Sequence, residues 1–240
     1  MINIINLSHS DPLAMTFSAE EITRKSAKEN YFDVINGKTE IGMVSLVTYL
    51  KNKDKLKLIK SMNIHTKANS ISTILVSKYK YLKDNIKINV TSLTKTTEFY
   101  MELVLQKMGI NYEIKESEYT DSENLLKDSD YALVIGDDAI KAYSGTANII
   151  LDIGLEFSKL YEMEPVYAVS ASLNEIDEDK IKGLDQHIKD SKKYIHEAVE
   201  RNYLKFNVKK ELMEEYYRVM DYSFNDSVLK TIEFADKLNE

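Results

Sequence analysis

The run Tyr131-Ala132-Leu133-Val134-Ile135-Gly136-Asp137-Asp138-Ala139-Ile140 decides the fold class. Five apolar residues in an unbroken row predict a strand buried on both faces, the pattern of a parallel sheet rather than of one that faces water. Gly136 permits a sharp turn, and Asp137 or Asp138 is placed to cap the short helix that follows. Strand, glycine and helix in that order form an α/β unit. In such sheets ligands collect beyond the carboxyl ends of the strands, where Gly136 and Asp137 lie.

The flanking sequence repeats the theme. Ile86–Val90 reads as a strand, followed by the hydroxyl-rich segment 91–97. A helix comes next with Phe99, Leu103, Val104 and Met108 at helical spacing, stopped by Gly109. Short strands are expected at Ile2–Leu7, Glu40–Val44, Leu56–Ile64 (an edge strand), Ser70–Lys78, Tyr112–Glu116, Ile149–Ile153 and Val166–Ser170. His65–Asn69 reads as a solvated loop. Helix is expected over Ala19–Glu29, with Ser18 as N-cap and Glu21 at capping-box spacing. From Ser172 onward the chain turns to charged amphipathic helices near 175–202, 208–220 and 225–238. Strands alternating with helices and ending in a helical tail describe a mostly parallel α/β protein.

Composition narrows the function. The net charge is −7, which gives no support to a nucleic-acid or anionic-membrane surface. There is no cysteine, so thiolate nucleophiles and thiolate metal sites are excluded, and the four histidines lack metal-ligand spacing. No metal and no cofactor is expected. No stretch approaches the roughly 18 apolar residues of a membrane helix. With no signal-peptide pattern at Met1-Ile2-Asn3-Ile4-Ile5, the expected location is cytoplasmic. Twenty-nine lysines accompany only three arginines, Arg24, Arg201 and Arg218. An anionic ligand is therefore expected to rest on backbone N–H groups, hydroxyls or lysine.

Several blocks resemble a known family. Ala132-Leu133-Val134-Ile135-Gly136-Asp137-Asp138-Ala139 is similar to the "A-L-L-I-G-D-x-A" run of the chorismate dehydratases of the futalosine route to menaquinone. The segment 37–50 resembles their "G-x-x-D-V-A-L-V-P-S-x-x-Y-L", Ser70–Ser77 their "V-x-S-V-x-L-x-S", and Thr94-Lys95-Thr96-Thr97 their "S-x-T-S". Asp152-Ile153-Gly154, Glu156-Phe157 and Pro165–Ala168 resemble "D-L-G-x-E-W…P-F-V-F-A". The blocks keep the family order over about residues 37–170. The resemblance implies a two-lobed, type II periplasmic-binding-protein-like fold with a ligand cleft between lobes and a C-terminal helical segment. Lobe 1 is expected to comprise 1–80 plus 171–240, and lobe 2 to comprise 81–170.

The chain departs from the family at points that matter. His9 stands where the family carries asparagine, threonines replace the serines at 94 and 97, and Phe157 replaces a tryptophan. Ser8-His9-Ser10-Asp11-Pro12 also partly echoes the "H-S-P-D-x-D-D" of a sister family, the 1,4-dihydroxy-6-naphthoate synthases.

The resemblance implies a lyase that removes water from chorismate, a small dicarboxylate, to give 3-[(1-carboxyvinyl)oxy]benzoate. Thr94, Thr96 and Thr97, ahead of a helix, fit ordinary capping by spacing alone, and the resemblance turns them toward carboxylate binding with Ser72 and Ser10. Asp137 fits a cap or a cleft-wall residue equally well. His9 follows the first strand and has a side chain suited to proton transfer. The base is His9 or the enolpyruvyl carboxylate of the substrate itself. A non-catalytic solute-binding protein for small anions is the reading from another class.

Overall fold

The computed structural model describes residues 1–93 and 95–238. In chain order these form β1 (Ile2–Ile5), a 3-10 turn (Ser8–Ser10), α1 (Asp11–Ala14), β2 (Ile22–Lys25), α2 (Ala27–Ile35), β3 (Ile41–Ser45) and α3 (Leu46–Leu50). They continue with β4 (Lys57–Thr66), β5 (Thr73–Ser77), β6 (Asn85–Thr91), α4 (Lys95–Met108), β7 (Asn111–Ser117), α5 (Ser122–Leu125) and β8 (Tyr131–Ile135). Then come α6 (Gly136–Ala142), β9 (Asn148–Asp152), α7 (Ile153–Tyr161) and β10 (Val166–Ser172). The tail holds α8 (Glu178–Ser191), a 3-10 turn (Lys192–Tyr194), α9 (Ile195–Phe206), α10 (Lys210–Val219), β11 (Met220–Asp221) and α11 (Asp226–Leu238).

Two compact units result. The first comprises Met1–His65, Val166–Arg201 and Met220–Glu240, and the second Thr66–Pro165 and Asn202–Val219. The chain thus passes between units at 65/66 and 165/166, where crossings at 80 and 170 were expected, and again at 201/202 and 219/220. Hydrogen bonding is the reason: β5, expected with the first lobe, pairs with β8 and β9, whereas β10 pairs with β3 and β4. Residues of α10, expected on the N-terminal lobe, belong to the second unit.

The first unit is built on a sheet ordered β11-β4-β10-β3-β1-β2. β1 runs parallel to β2 and β3, and β10 runs antiparallel to β3 and β4. Its core gathers Ile4, Leu13, Ile41, Met43, Ile59, Met62 and Ile64 against Leu184 and Ile188 of α8.

The segment Ile22–Lys25, expected in a helix, is a strand, because each of its residues registers against β1. The capping-box spacing Ser-x-x-Glu occurs twice here, at Ser18/Glu21 and Ser26/Glu29. The second one starts a helix: Ser26 Oγ accepts from Glu29 N–H while the Glu29 carboxylate accepts from Ser26 N–H. Asp33 of α2 ties that helix to the sheet, accepting from Asn3 Nδ2 at 2.8 Å and Lys25 Nζ at 2.5 Å. The Lys25 ammonium holds its carboxyl below the usual carboxylate range. A carboxyl held low stabilises the fold above its unfolded-state pKa of about 4, and that contribution fades as pH falls further. Lys25→Met is expected to flatten this part of an acid-unfolding curve, which circular dichroism would follow.

Gly42 of β3 lies where α2 crosses closely. A Cβ there would meet Val34 Cγ2 at 2.6 Å and the Asn30 carbonyl oxygen at 3.2 Å. Gly42→Ala is expected to destabilise by about 1–3 kcal/mol through overpacking, measured by urea unfolding.

The second unit carries a sheet ordered β7-β6-β8-β5-β9. The apolar run 131–135 is its middle strand, parallel to β6 on one side and antiparallel to β5 on the other. Residues 131–134 are buried, as their pattern requires. Gly136 makes the sharp turn with φ +59°, and its N–H donates to the Ser72 carbonyl at 2.8 Å. Because α6 begins at Gly136, Ile135 takes the N-cap position, and Asp137 and Asp138 sit in the first turn instead of capping. Tyr100 of α4 packs against Phe157 of α7, ring centroids 4.4 Å apart.

Candidate functional site

In the first unit β1, β3 and β4 end at one edge of the sheet, where β10 begins: Val166 registers with His65 and Ala168 with Ser45. From β1 the chain turns at that edge through Ser8–Ser10 into α1, and this turn carries His9. The histidine is 8% exposed, and its Nδ1 lies 2.8 Å from Ser10 Oγ, which fixes the ring. Tyr222 Oη donates to the His9 carbonyl at 2.6 Å. Ser10 is fully buried, with its hydroxyl on His9.

Beside the turn lies a polar network that the sequence did not reveal. His65, expected in a solvated loop, is a fully buried residue of β4, its Nδ1 2.7 Å from Asn63 Oδ1. Asn63 donates in turn to the Tyr222 carbonyl through Nδ2 at 3.1 Å. Burial opposes charge on Asp221. Even so, the N–H and hydroxyl of Ser223, with His65 nearby, hold its carboxyl below the usual range.

In the second unit β6, β7, β8 and β9 all end at one edge, where β5 begins, since Thr73 registers with Ile135 and Ile74 with Asp152. The first turns of α4, α6 and α7 start there. Thr96 and Thr97 lie in the first turn of α4 and are buried, 5% and 4% exposed. Ser72 is buried at the amino end of β5. Asp137 is partly exposed and faces Lys205 Nζ at 3.2 Å. Thr94 lies outside the described residues. Ser72, Thr96, Thr97 and Asp137 thus share one edge of one sheet, and His9 and Ser10 share the corresponding edge of the other.

Asp152 organises the second edge. Its carboxylate accepts from the Ser70 and Ile71 N–H groups, from Ser70 Oγ at 3.1 Å and from Leu155 N–H at 3.0 Å, so it caps α7 and orders the loop before β5 in one step. That loop holds Ile71 at φ 62°, a left-handed conformation rare for a β-branched residue. The only hint in the sequence was the Asp-Ile-Gly block itself.

A groove of about 390 Å³ lined by Ser77, Lys78, Glu123, Leu126, Lys127, Thr146, Ala147 and Asn148 lies at the opposite edge, where β8 begins, away from all these residues. Among the described residues no three histidine or acidic side chains gather as a metal site requires, and no helix is long and apolar enough to cross a membrane.

The architecture matches solved structures along nearly its whole length. A protein of Archaeoglobus fulgidus is similar at TM-score 0.70 and 15% identity, covering 99% of this chain and 94% of that one. The periplasmic aliphatic sulphonate binding protein of Escherichia coli is similar at TM-score 0.70 and 9% identity, covering 99% and 85%. A Candida albicans protein described as having the generic periplasmic binding protein fold is similar at TM-score 0.62 and 13% identity, covering 99% and 89%. At such identities the likeness shows the fold, which is α/β and periplasmic-binding-protein-like. No curated protein sequence matches the chain. The family model for menaquinone biosynthesis matches residues 12–238, all but the first eleven and last two, and the chain belongs to that family.

Proposed function

We propose that this protein is a cytoplasmic carbon–oxygen lyase that dehydrates chorismate to 3-[(1-carboxyvinyl)oxy]benzoate. The observation that carries the proposal is the membership in the menaquinone biosynthesis family, joined to the chorismate-dehydratase-like blocks at 37–50, 70–77, 132–139 and 152–168. The reaction takes the ring proton at C3 and expels the C4 hydroxyl as water. The gain of aromaticity drives it, so it needs no redox partner and no cofactor. The protein's task is to hold the dicarboxylate, orient the ring and exclude bulk water. Thr94, Thr96, Thr97 and Ser72 hold carboxylate oxygens, aided by the positive end of the 14-residue helix α4. Asp137 supports the wall beside them. His9 faces the reacting ring with its orientation set by Ser10, and the enolpyruvyl carboxylate of the substrate takes the proton.

The test is incubation of the pure protein with chorismate, followed by mass spectrometry. An aromatic product lighter by one water is expected. Chorismate binding without turnover would replace the proposal with a solute-binding role. Turnover of a cyclic futalosine derivative instead would favour the 1,4-dihydroxy-6-naphthoate synthase reading, for which the Ser8-His9-Ser10-Asp11 turn speaks. Substituting Thr96 and Thr97 together by valine is expected to weaken chorismate binding by about tenfold, each hydroxyl contributing roughly 0.5–1.5 kcal/mol. Unchanged affinity in calorimetry, with the melting temperature preserved, would remove the start of α4 from the site.

A further inference from the structure

Asp11 follows His9 by two residues, and its side chain is 4% exposed. A carboxylate buried to that degree is costly unless its charge is met. Both oxygens are met by arginine: Oδ1 accepts from Arg24 Nη1 at 2.6 Å, and Oδ2 lies 2.5 Å from Arg201 Nη2. Arg24 also donates through Nη2 to the Leu7 carbonyl at 2.8 Å. One guanidinium therefore grips the chain on both sides of His9, at Leu7 and at Asp11. Lysine, a point charge, cannot make that two-pronged contact. In a chain with 29 lysines and three arginines, two of the three arginines converge on this single carboxylate. The sheet does not require them, because β1 is already paired with β2 along Ile2–Ile5.

We infer that Asp11, clamped by Arg24 and Arg201, is a positioning residue that fixes the His9–Ser10 turn in the geometry the reaction uses. The inference rests on the proposed placement of His9 at the substrate. With Tyr222 on the His9 carbonyl and Ser10 on the ring, the clamp completes a three-sided hold on one half-turn of backbone.

The experiment compares Arg201→Met and Arg201→Lys with Arg218→Met, a control at an exposed arginine that pairs with Glu215 one turn away. Arg201 is itself half exposed, and Arg24 still meets Asp11 when it is replaced, so the fold is expected to stay intact, which thermal melting checks. With chorismate, Arg201→Met is expected to lower kcat by about tenfold or more while KM stays within about threefold, as displacement of a reacting group does. Arg201→Lys, which keeps the charge, is expected to recover a large part, and Arg218→Met to match the unaltered protein. In histidine-labelled protein the ring signal of His9, assigned through His9→Asn, is expected to move in Arg201→Met and to return in Arg201→Lys. An unmoved His9 signal, or a loss of kcat with all four histidine signals shifting together, would overturn the inference. If the unaltered protein leaves chorismate untouched, the proposed activity fails by itself, and the His9 signal still decides whether the clamp positions that turn.

Discussion

His9→Ala is expected to lower chorismate turnover by on the order of a hundredfold, whereas His9→Asn is expected to keep much of it. The difference follows from what the side chain does. His9 is nearly buried, its Nδ1 lies on Ser10, and its carbonyl is held by Tyr222, so the group is built into a rigid turn. In the proposed reaction a polar side chain held in that way would orient the substrate ring. Removing it lets the ring drift, and a displacement near 1 Å is enough for a hundredfold loss. Asparagine, the residue that similar chorismate dehydratases carry at this place, preserves a short hydrogen-bonding group there. If the substrate's own carboxylate takes the proton, the pH–rate profile of His9→Asn stays nearly flat between about 5.5 and 8, since neither an amide nor a bound carboxylate titrates in that window. General-base action by His9 has the opposite signature. Turnover of the unaltered protein would then fall as pH drops through the imidazole range, and His9→Asn would lose a hundredfold along with that acid limb. Steady-state kinetics of both variants across this pH window separates the two.

The largest effect on stability is expected at Asp152. Its carboxylate accepts from three backbone N–H groups, those of Ser70, Ile71 and Leu155, and from the Ser70 hydroxyl. Asp152→Ala leaves these donors to find water, removes the cap of α7 and releases the loop that keeps Ile71 at φ 62°. Loss of a cap costs about 1 kcal/mol, and each buried donor left unmet costs about 1–3 kcal/mol before relaxation. A total of about 3–4 kcal/mol is expected, equivalent to a fall in melting temperature on the order of 10 °C for a protein of this size. Asp152→Asn keeps an acceptor oxygen and should recover part of that. Because Gly136 N–H donates to the Ser72 carbonyl, the loosened loop also frees the start of α6, so chorismate affinity should drop together with stability. Urea unfolding of Asp152→Ala within about 1 kcal/mol of the unaltered protein would refute this account.

Much of this molecule is legible in its sequence because the deciding chemistry is local. Tyr131–Val134 of the apolar run are buried because apolar side chains pointing to both faces leave neither face fit for water. Gly136 turns with positive φ, Gly109 stops α4, and the hydroxyl-rich segment before α4 is followed by a first turn carrying Thr96 and Thr97, as the residue types require. The ordered blocks from 37 to 168 pointed to the family, and the menaquinone match over 12–238 agrees.

What the sequence could not supply is the identity of partners far along the chain. Ile22–Lys25 suits a helix by itself and becomes a strand only because β1 offers it a hydrogen-bonding edge. β5 joins the second sheet because its partners are β8 and β9, and no feature of Thr73–Ser77 names them. His65 looks like a loop residue until β10 pairs beside it and buries it. Arg24 and Arg201 are ordinary surface cations in one dimension. They meet on Asp11 only after β2 and α9 are in place, because an ion pair forms where folding brings the charges together and nothing in the local sequence of either residue encodes that distance. Local propensity set the elements. Long-range pairing of backbone and charge set which of them hold His9.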